Sequence, residues 1–214
     1  MFDRYLLKKS SNIREVCAVT LQRRGVKADW ISWFGFGIGM MAVPLLIAHA
    51  YYWALLCIVF NRMADLLDGA VARLDGPTDR GAFLDITLDF LFYSAIPLGF
   101  ALAIPANNAL PAAILIYSFI GTGCSFLAFA VIAAKRGMES TAYPSKGFYY
   151  LGGLTEGSET VLVLLLMCLF PGWFPLIAYG FSALCCITVV TRVVAGVSLF
   201  KNNYGKVKQT GAGI

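Results

Sequence analysis

Charged residues are scarce in this chain: only 14% of its 214 residues are Asp, Glu, Lys or Arg, while 59% are hydrophobic. Soluble domains carry about 25% charged residues, so the composition argues against an ordinary soluble protein. A separate basic module of the kind that binds nucleic acid is also lacking, although the net charge is +5. Positive charge on an apolar chain instead suits contact with anionic lipid headgroups. We therefore expect an integral membrane protein without a nucleic-acid partner.

Cysteine and histidine patterns that would bind a metal are missing as well. The chain has one histidine, and its six cysteines form neither CxxC pairs nor spacings typical of metal ligands. Within apolar segments such cysteines are expected to act as small buried hydrophobic residues. A cleavable signal pattern is lacking too, because a charged stretch of 27 residues precedes a full-length apolar span.

Apolar segments of about 20 residues, long enough to cross a bilayer core of about 30 Å, recur along the chain. The fold class is therefore all-α integral membrane, with six transmembrane helices predicted at residues 30–50, 52–74, 82–104, 109–134, 149–170 and 173–199. Residues 1–27 alternate apolar and basic positions, which predicts an amphipathic helix in the membrane interface; a disordered basic tail is the alternative. The predicted domains are this juxtamembrane helix, a six-helix membrane domain at 28–204 and a flexible tail at 205–214.

Lys and Arg are absent from three of the predicted loops, those around residues 49–51, 105–108 and 171–172. They concentrate in the N-terminal segment, in the two other loops and after the last span, and only Arg62 and Arg192 lie well inside spans. By the positive-inside rule, both termini and the loop after the second span face the cytoplasm. In a bacterium this would place the protein in the inner, or plasma, membrane.

A stretch of 25 residues in the second and third predicted spans contains four aspartates: Asp65, Asp68, Asp85 and Asp89. Turn-forming residues at 75–80 separate them and predict a tight helical hairpin, in which Gly76-Pro77 ends one helix and Thr78 or Asp79 caps the next. At about 1.5 Å rise per residue, Asp68 and Asp85 lie roughly 12 Å from the turn. Asp65 and Asp89 lie roughly 18 Å from it. Spacings of i, i+3 and i, i+4 place each pair on one helix face.

Carboxylates in apolar helices cost several kcal/mol each unless they pair, bind a cation or line a wet cavity. Two helix faces with two carboxylates each form a cage of hard oxygen ligands, which Mg²⁺ and Mn²⁺ prefer. Beside this cage, the small residues Gly69, Ala72 and Gly81 leave room for a bulky ligand or a close helix. The guanidinium of Arg73 could form two parallel hydrogen bonds to phosphate oxygens. The small residues alone would indicate ordinary helix packing, but the combination favours a metal-dependent pocket for a nucleotide diphosphate.

The pattern DxxDGxxAR…GxxxDxxxD resembles the signature of the CDP-alcohol phosphotransferase (CDP-alcohol phosphatidyltransferase) family, carried here by Asp65, Asp68, Gly69, Ala72, Arg73, Gly81, Asp85 and Asp89. The segment between the arginine and the second glycine is one residue shorter than in the family pattern, which we interpret as a loop variant. The resemblance implies attack of an alcohol hydroxyl on the β-phosphorus of CDP-diacylglycerol with release of CMP, in phospholipid biosynthesis. It also implies a homodimer.

The same resemblance implies the roles of individual residues. Asp65, Asp68 and Asp85 would hold Mg²⁺ or Mn²⁺, with two ions expected, and Asp89 would combine metal contact with the role of general base. The CDP moiety would lie against Gly69, Ala72, Arg73 and Gly81.

Basic residues near spans four to six are the candidates for binding the acceptor alcohol: Lys135, Arg136, Lys146 and Arg192. They suit an acceptor that carries phosphate or carboxylate, so glycerol 3-phosphate, inositol phosphate and serine all qualify. Glycerol 3-phosphate is less favoured, because phosphatidylglycerol phosphate synthases commonly carry Pro and Lys where this chain has Ile86 and Phe90.

Two other function classes also use acidic residues within a membrane. An intramembrane prenyltransferase would bind a diphosphate through Mg²⁺, but normally has a second aspartate cluster on a separate helix pair. A cation transporter would place its acids nearer mid-bilayer, often on discontinuous helices, and would have no use for the Gly69-x-x-Ala72-Arg73 pattern. Both hypotheses are weaker than the phosphatidyltransferase.

Overall fold

The computed structural model of the protein describes residues 11–137 and 154–201. Within these ranges the chain forms eight α-helices and one short 3₁₀-helix, Pro171–Trp173, and no β-strand. The α-helices are α1 Ser11–Arg23, α2 Ala28–Met40, α3 Ala42–Ile47, α4 Tyr51–Asp75, α5 Asp79–Ala103, α6 Pro105–Lys135, α7 Gly157–Leu169 and α8 Phe174–Lys201. The all-α prediction is therefore confirmed for the described part of the chain.

Helices lie within each of the six predicted spans, but two of them, α2 and α3, share the first span, and α7 begins at Gly157, eight residues after the predicted start of the fifth. Within the described part of the chain, four segments are long and apolar enough to cross a membrane: Ala28–Ile47, Asp79–Ala103, Pro105–Lys135 and Pro171–Lys201. The charged residues of α4 keep it outside this group, and the 13 residues of α7 are fewer than the roughly 20 that a span requires. Residues 149–153 of the fifth predicted span lie outside the described residues, so the six-span topology stays a prediction.

The described residues divide into two compact units. The first consists of those within Met1–Ile116 together with Gly157–Phe181, and the second of those within Tyr117–Glu156 and Ser182–Ile214. In the first unit, α4 is central and packs against α1, α2, α3 and α7, while α5 packs against α2 and α3. α4 therefore packs against four neighbouring helices, while its side chains Tyr52, Trp53, Phe60 and Met63 are exposed.

Helix α1 lies within the predicted juxtamembrane segment. Its Ala18 is buried against Ala70 and Val71 of α4, so the helix is fixed to the signature-bearing segment rather than forming a free basic tail. Residues 1–10 and the predicted tail at 205–214 lie outside the described residues. The interfacial position of the N-terminal helix stays a prediction.

The turn between α4 and α5 has the predicted construction. α4 ends at Asp75, and Gly76 follows with φ +94°, a conformation that glycine adopts without steric cost. Thr78 then caps α5, because its hydroxyl accepts a hydrogen bond from the N–H of Gly81 at 3.1 Å. This turn fixes the register of the two helices that carry the aspartates.

Two glycines bring α2 close to the helix pair. A Cβ at Gly35 would lie 2.5 Å from Cβ of Ala64, and a Cβ at Gly39 would lie 2.8 Å from the side-chain nitrogen of Asn61 and 2.9 Å from the Phe92 ring. Real Cβ atoms do not approach so closely, so these contacts require glycine. The close approach allows a side chain of α2 to reach the aspartates.

Candidate active site

Three aspartates converge in the first unit. Asp65 and Asp68 on α4 and Asp85 on α5 each place one carboxylate oxygen within 4.8 Å of the other two. Asp68 is buried, Asp65 is half-buried and Asp85 is exposed. The structure thus brings together three of the four predicted ligands, including Asp68 and Asp85, which were predicted to lie at the same depth. Their oxygens are the hard donors that Mg²⁺ and Mn²⁺ prefer.

The fourth aspartate, Asp89, lies outside this group and is bound by an arginine. Nη2 of Arg62 lies 2.7 Å from Oδ1 of Asp89, and the Tyr93 hydroxyl lies 3.3 Å from Oδ2 of the same carboxylate. Nη1 of Arg62 donates to the Tyr93 oxygen at 2.9 Å and lies 3.5 Å from Oδ2 of Asp65. Arg62 therefore links the three-carboxylate group to Asp89.

Packing holds the Arg62 guanidinium in place. Its central carbon lies 4.9 Å from the centre of the Phe92 ring and 5.2 Å from that of Tyr93, within the range of cation–π attraction. Nε donates to the side-chain oxygen of Asn61 at 2.8 Å, and Asn61 in turn donates to the backbone carbonyl of Gly35 at 2.9 Å. Only 13% of the Arg62 side chain is exposed, so its charge is offset by protein groups.

Helix α2 supplies one more contact to the site. The Ser32 hydroxyl donates to Oδ2 of Asp68 at 2.5 Å. An open cleft lies between these helices, and it is lined by Ser32, Gly35, Phe36, Asn61, Arg62, Asp65, Asp68, Asp85, Leu88 and Asp89. All four aspartates therefore face one space.

Among the residues predicted to line the CDP moiety, Gly69, Ala72 and Arg73 lie in the last two turns of α4, and Gly81 lies in the first turn of α5. A Cβ at Gly69 would lie 3.5 Å from Nη1 of Arg73, and Arg73 itself is exposed. A Cβ at Gly81 would lie 3.2 Å from the Thr78 hydroxyl. The small residues therefore leave space beside the exposed guanidinium of Arg73, which a bulky anionic ligand would need.

Two contacts brace the turn on either side. Nε of Arg80 at the start of α5 lies 3.0 Å from Oδ2 of Asp29 on α2. Gln22 of α1 donates to Oδ1 of Asp75 at the end of α4, at 2.6 Å. The one-residue-shorter turn is thus held by the end of α1 and the start of α2.

The candidates for acceptor binding belong to the second unit, except that Lys146 lies outside the described residues. Arg192 is only 7% exposed; its Nη1 donates to the backbone carbonyl of Thr122 at 3.1 Å, and its guanidinium lies 5.7 Å from the centre of the Phe126 ring. An arginine buried inside an apolar helix is the position expected of a residue that faces a polar ligand or cavity.

The two neighbouring cations differ from Arg192. Arg136 donates from Nη2 to the backbone carbonyl of Phe200 at 3.1 Å and stacks over the ring of that residue at 4.9 Å. These contacts tie the end of α6 to the end of α8. Lys135 is exposed at the last residue of α6.

Four contributors to the site had no assigned role in the sequence: Ser32, Asn61, Arg62 and Tyr93. The sequence could have indicated Arg62, because an arginine within a span and three residues before Asp65 shares the helix face of that aspartate. For Tyr93 the indication is weaker: it follows Asp89 by four residues on the same helix. Nothing in the sequence indicates Ser32 or Asn61, because their contacts depend on how α2 packs on α4.

Comparison with known proteins agrees with the site. The family model of CDP-alcohol phosphatidyltransferase matches residues 26–194, which is most of the chain. The inner membrane protein YnjF of Escherichia coli K12 is 48% identical over 202 residues, covering 94% of this chain and 98% of its own. A phosphatidylinositol phosphate synthase of Streptomyces avermitilis is 31% identical over 177 residues, covering 80% of this chain and 68% of that enzyme.

Solved structures show the same fold. The crystal structure of Mycobacterium tuberculosis phosphatidylinositol phosphate synthase PgsA1 with CDP-DAG bound has a TM-score of 0.66 at 21% identity, covering 87% of this chain and 94% of that one. The same enzyme in complex with manganese and citrate has a TM-score of 0.65 at 22% identity, covering 86% and 88% of the two chains.

These findings confirm the resemblance and favour it over the prenyltransferase and transporter hypotheses. The apolar helices and the inner membrane relative agree with the predicted integral membrane protein. The chain belongs to the CDP-alcohol phosphatidyltransferase family and is a membrane-embedded transferase of phospholipid synthesis.

Proposed function

We propose that the protein transfers a phosphatidyl group from CDP-diacylglycerol to a small anionic alcohol and releases CMP, with Mg²⁺ or Mn²⁺ bound at Asp65, Asp68 and Asp85. The observation that carries this proposal is the convergence of three carboxylates within 4.8 Å in a chain of this family. The binding of CDP-DAG and of manganese by PgsA1, which has the same fold, supports the choice of donor and metal.

The three carboxylates fit a divalent cation. They supply hard oxygen donors from two helices, and one of them, Asp68, is buried, where an uncompensated negative charge is costly. When bound, the cation supplies positive charge beside the phosphate groups of the donor. Phosphoryl transfer depends on this neutralisation and on in-line positioning.

Two side chains would bind the donor and accept the proton. Arg73, exposed beside Gly69, would bind phosphate oxygens of the donor through its planar guanidinium. Asp89 would accept the proton of the acceptor hydroxyl as its oxygen attacks the β-phosphorus. The bond from that phosphorus to the bridging oxygen breaks, and the oxygen leaves with CMP.

Among acceptors, an inositol phosphate is the first candidate, ahead of glycerol 3-phosphate and serine. The Streptomyces relative, a phosphatidylinositol phosphate synthase at 31% identity, supports this order. Arg192 would contact the anionic group of the acceptor, because it is a cation buried at 7% exposure within an otherwise apolar helix. Lys135, Arg136 and Lys146 are weaker candidates for the same role.

The membrane arrangement belongs to the same proposal. α4 and α7 would complete six spans, since α4 packs against α1, α2, α3 and α7 and need not expose its charged face to lipid. The termini and the Asp-bearing turn would face the cytoplasm, with α1 in the interface. The domain limits at 27 and 204 and a homodimer complete the proposed organisation.

CMP release by the purified protein in nanodiscs tests this function. The donor is CDP-diacylglycerol, the metal is Mg²⁺ or Mn²⁺, and the acceptors offered singly are inositol phosphate, glycerol 3-phosphate, serine, inositol, glycerol and choline. We expect metal-dependent release with one anionic acceptor. Release with an uncharged acceptor alone would refute the acceptor class, and failure both to release CMP and to bind CDP-diacylglycerol would refute the donor.

A further inference from the structure

Arg62 occupies a position between two carboxylates that the family signature assigns to metal. Nη1 and Nη2 of its guanidinium reach Asp65 on α4 at 3.5 Å and Asp89 on α5 at 2.7 Å. Asp65 also belongs to the three-carboxylate group, whereas Asp89 does not. A second divalent ion shared by Asp65 and Asp89 would therefore compete with the guanidinium for the same oxygens.

The contacts around Arg62 favour its staying there while the site is empty of substrate. The guanidinium is stacked beside Phe92 and Tyr93 and hydrogen-bonded to Asn61 and Tyr93. Its planar fork is already oriented, so little side-chain freedom is lost on pairing with Asp89. With a side chain only 13% exposed, the charge is poorly screened by water and repels a nearby cation more strongly than a surface charge would.

We propose that Arg62 is a built-in counter-cation that takes the place of a second divalent ion between Asp65 and Asp89. This inference rests on the proposed function, because it takes the three-carboxylate group to be a metal site. It predicts unequal metal loading without substrate: one ion binds tightly at Asp65, Asp68 and Asp85, and a second binds weakly against Arg62. Arg62 is thus a positioning residue, which controls when the carboxylate of Asp89 becomes available.

Mn²⁺ titration of the full chain in neutral phosphatidylcholine nanodiscs tests this role, with free Mn²⁺ followed by electron paramagnetic resonance and no substrate present. In the wild type we expect one tight ion and a second that binds at least about tenfold more weakly. In Arg62→Gln the second ion should bind at least about tenfold more tightly than in the wild type, because the competing charge is gone. A merely structural role for Arg62 predicts the opposite, since a damaged site binds metal less well.

Three further variants show whether the charge of Arg62 causes the weak binding of the second ion. Arg80→Gln removes an equal charge from the same unit, but from a side chain that is 76% exposed and paired with Asp29, so its Mn²⁺ isotherm should match the wild type. Arg62→Lys keeps the charge and should keep the second ion weak. Asp89→Asn should retain the tight ion and lose the second one.

The outcomes separate this inference from the proposed function. A folded Arg62→Gln protein whose isotherm matches the wild type, or one that loses the tight ion, would overturn the role of Arg62 alone. Two equally tight ions in the wild type would do the same. If Arg62→Gln does not fold, an Arg62→Lys protein with two tight ions would still refute the proposal. A wild type that binds no Mn²⁺ would refute the metal site and this inference together.

Discussion

The two ends of the α4–α5 helix pair have opposite chemistry. The end nearest the turn, here called the carboxylate end, holds Arg62 and the four aspartates Asp65, Asp68, Asp85 and Asp89. The other end, here called the aromatic end, is a stack of rings: Tyr51 lies 5.9 Å from Phe100, and Phe100 lies 4.5 Å from Phe174, both nearly parallel. Phe100 and Phe174 are almost fully buried.

This difference indicates a division between stability and function along one helix pair. Stacked aromatic rings contribute burial and dispersion energy without polar groups that need partners. Buried carboxylates oppose folding unless a cation offsets them, so they are retained for binding and chemistry. Substitutions at the aromatic end should therefore change stability, and substitutions at the carboxylate end should change activity.

Replacing Asp89 by Asn should produce the largest effect on activity. The amide has nearly the shape of the carboxylate but cannot accept the proton of the acceptor hydroxyl, so kcat should fall by about 10²–10⁴-fold. CMP release per folded molecule measures the loss, because Asp89 also pairs with the buried guanidinium of Arg62 and its replacement should lower the thermal denaturation midpoint in nanodiscs. Normal turnover in the folded variant would remove Asp89 as the general base.

Replacing Phe100 by Ala should break the aromatic end and leave the carboxylate end working. Loss of a fully buried ring destabilises a protein by about 3–5 kcal/mol, so the denaturation midpoint should drop sharply. Activity per folded molecule, measured at low temperature, should change little. Leu98→Ala is the matched control, because Leu98 is on the same helix but exposed; an equal loss of stability in both variants would contradict the assignment.

Replacing Arg192, in the second unit, by Ala should weaken binding of the acceptor. A lost hydrogen bond to a charged group is worth about 1.5–3 kcal/mol, so the KM for the acceptor should rise about 10–100-fold. The KM for CDP-diacylglycerol should stay constant. Lys201→Ala, which removes an exposed cation of the same helix, should leave both constants unchanged. An unaltered acceptor KM in Arg192→Ala would exclude Arg192 from acceptor binding.

Replacing Thr78 by Ala should have the smallest effect. The substitution removes the cap contact to the N–H of Gly81 and should destabilise α5 by about 1 kcal/mol. Thr78→Ser keeps the capping hydroxyl and should restore the denaturation midpoint. If Thr78→Ala instead abolished CMP release at full stability, the threonine would belong to the donor site rather than to the turn.

The hairpin could be predicted from sequence because its determinants are local. The Gly76-Pro77 pair ends α4 and Thr78 caps α5 through residues at most three positions apart. Once the turn was placed, helix geometry alone set the depths of the aspartates, and Asp65, Asp68 and Asp85 do meet. Short-range rules were sufficient for these features.

The partner of Asp89 could not be predicted in the same way. The depth of Asp89 along α5 does not show which side chain of α4 reaches its carboxylate, and in the structure that side chain is Arg62. The contact of Ser32 with Asp68 likewise depends on the close packing of α2 at Gly35 and Gly39. Both features arise from helix packing between segments distant in sequence.

The most direct test of the account compares CMP release by the wild type, Asp68→Asn and Asp75→Asn in nanodiscs, with CDP-diacylglycerol, Mn²⁺ and an equimolar mixture of the candidate acceptors. Both substitutions remove one carboxylate from α4, but Asp68 belongs to the three-carboxylate group, whereas Asp75 is exposed and contacts Gln22. We predict release by the wild type and Asp75→Asn that stops when Mn²⁺ is chelated, and none by Asp68→Asn. Equal release by Asp68→Asn, or release that persists without divalent metal, would refute metal-dependent transfer at the three-carboxylate group.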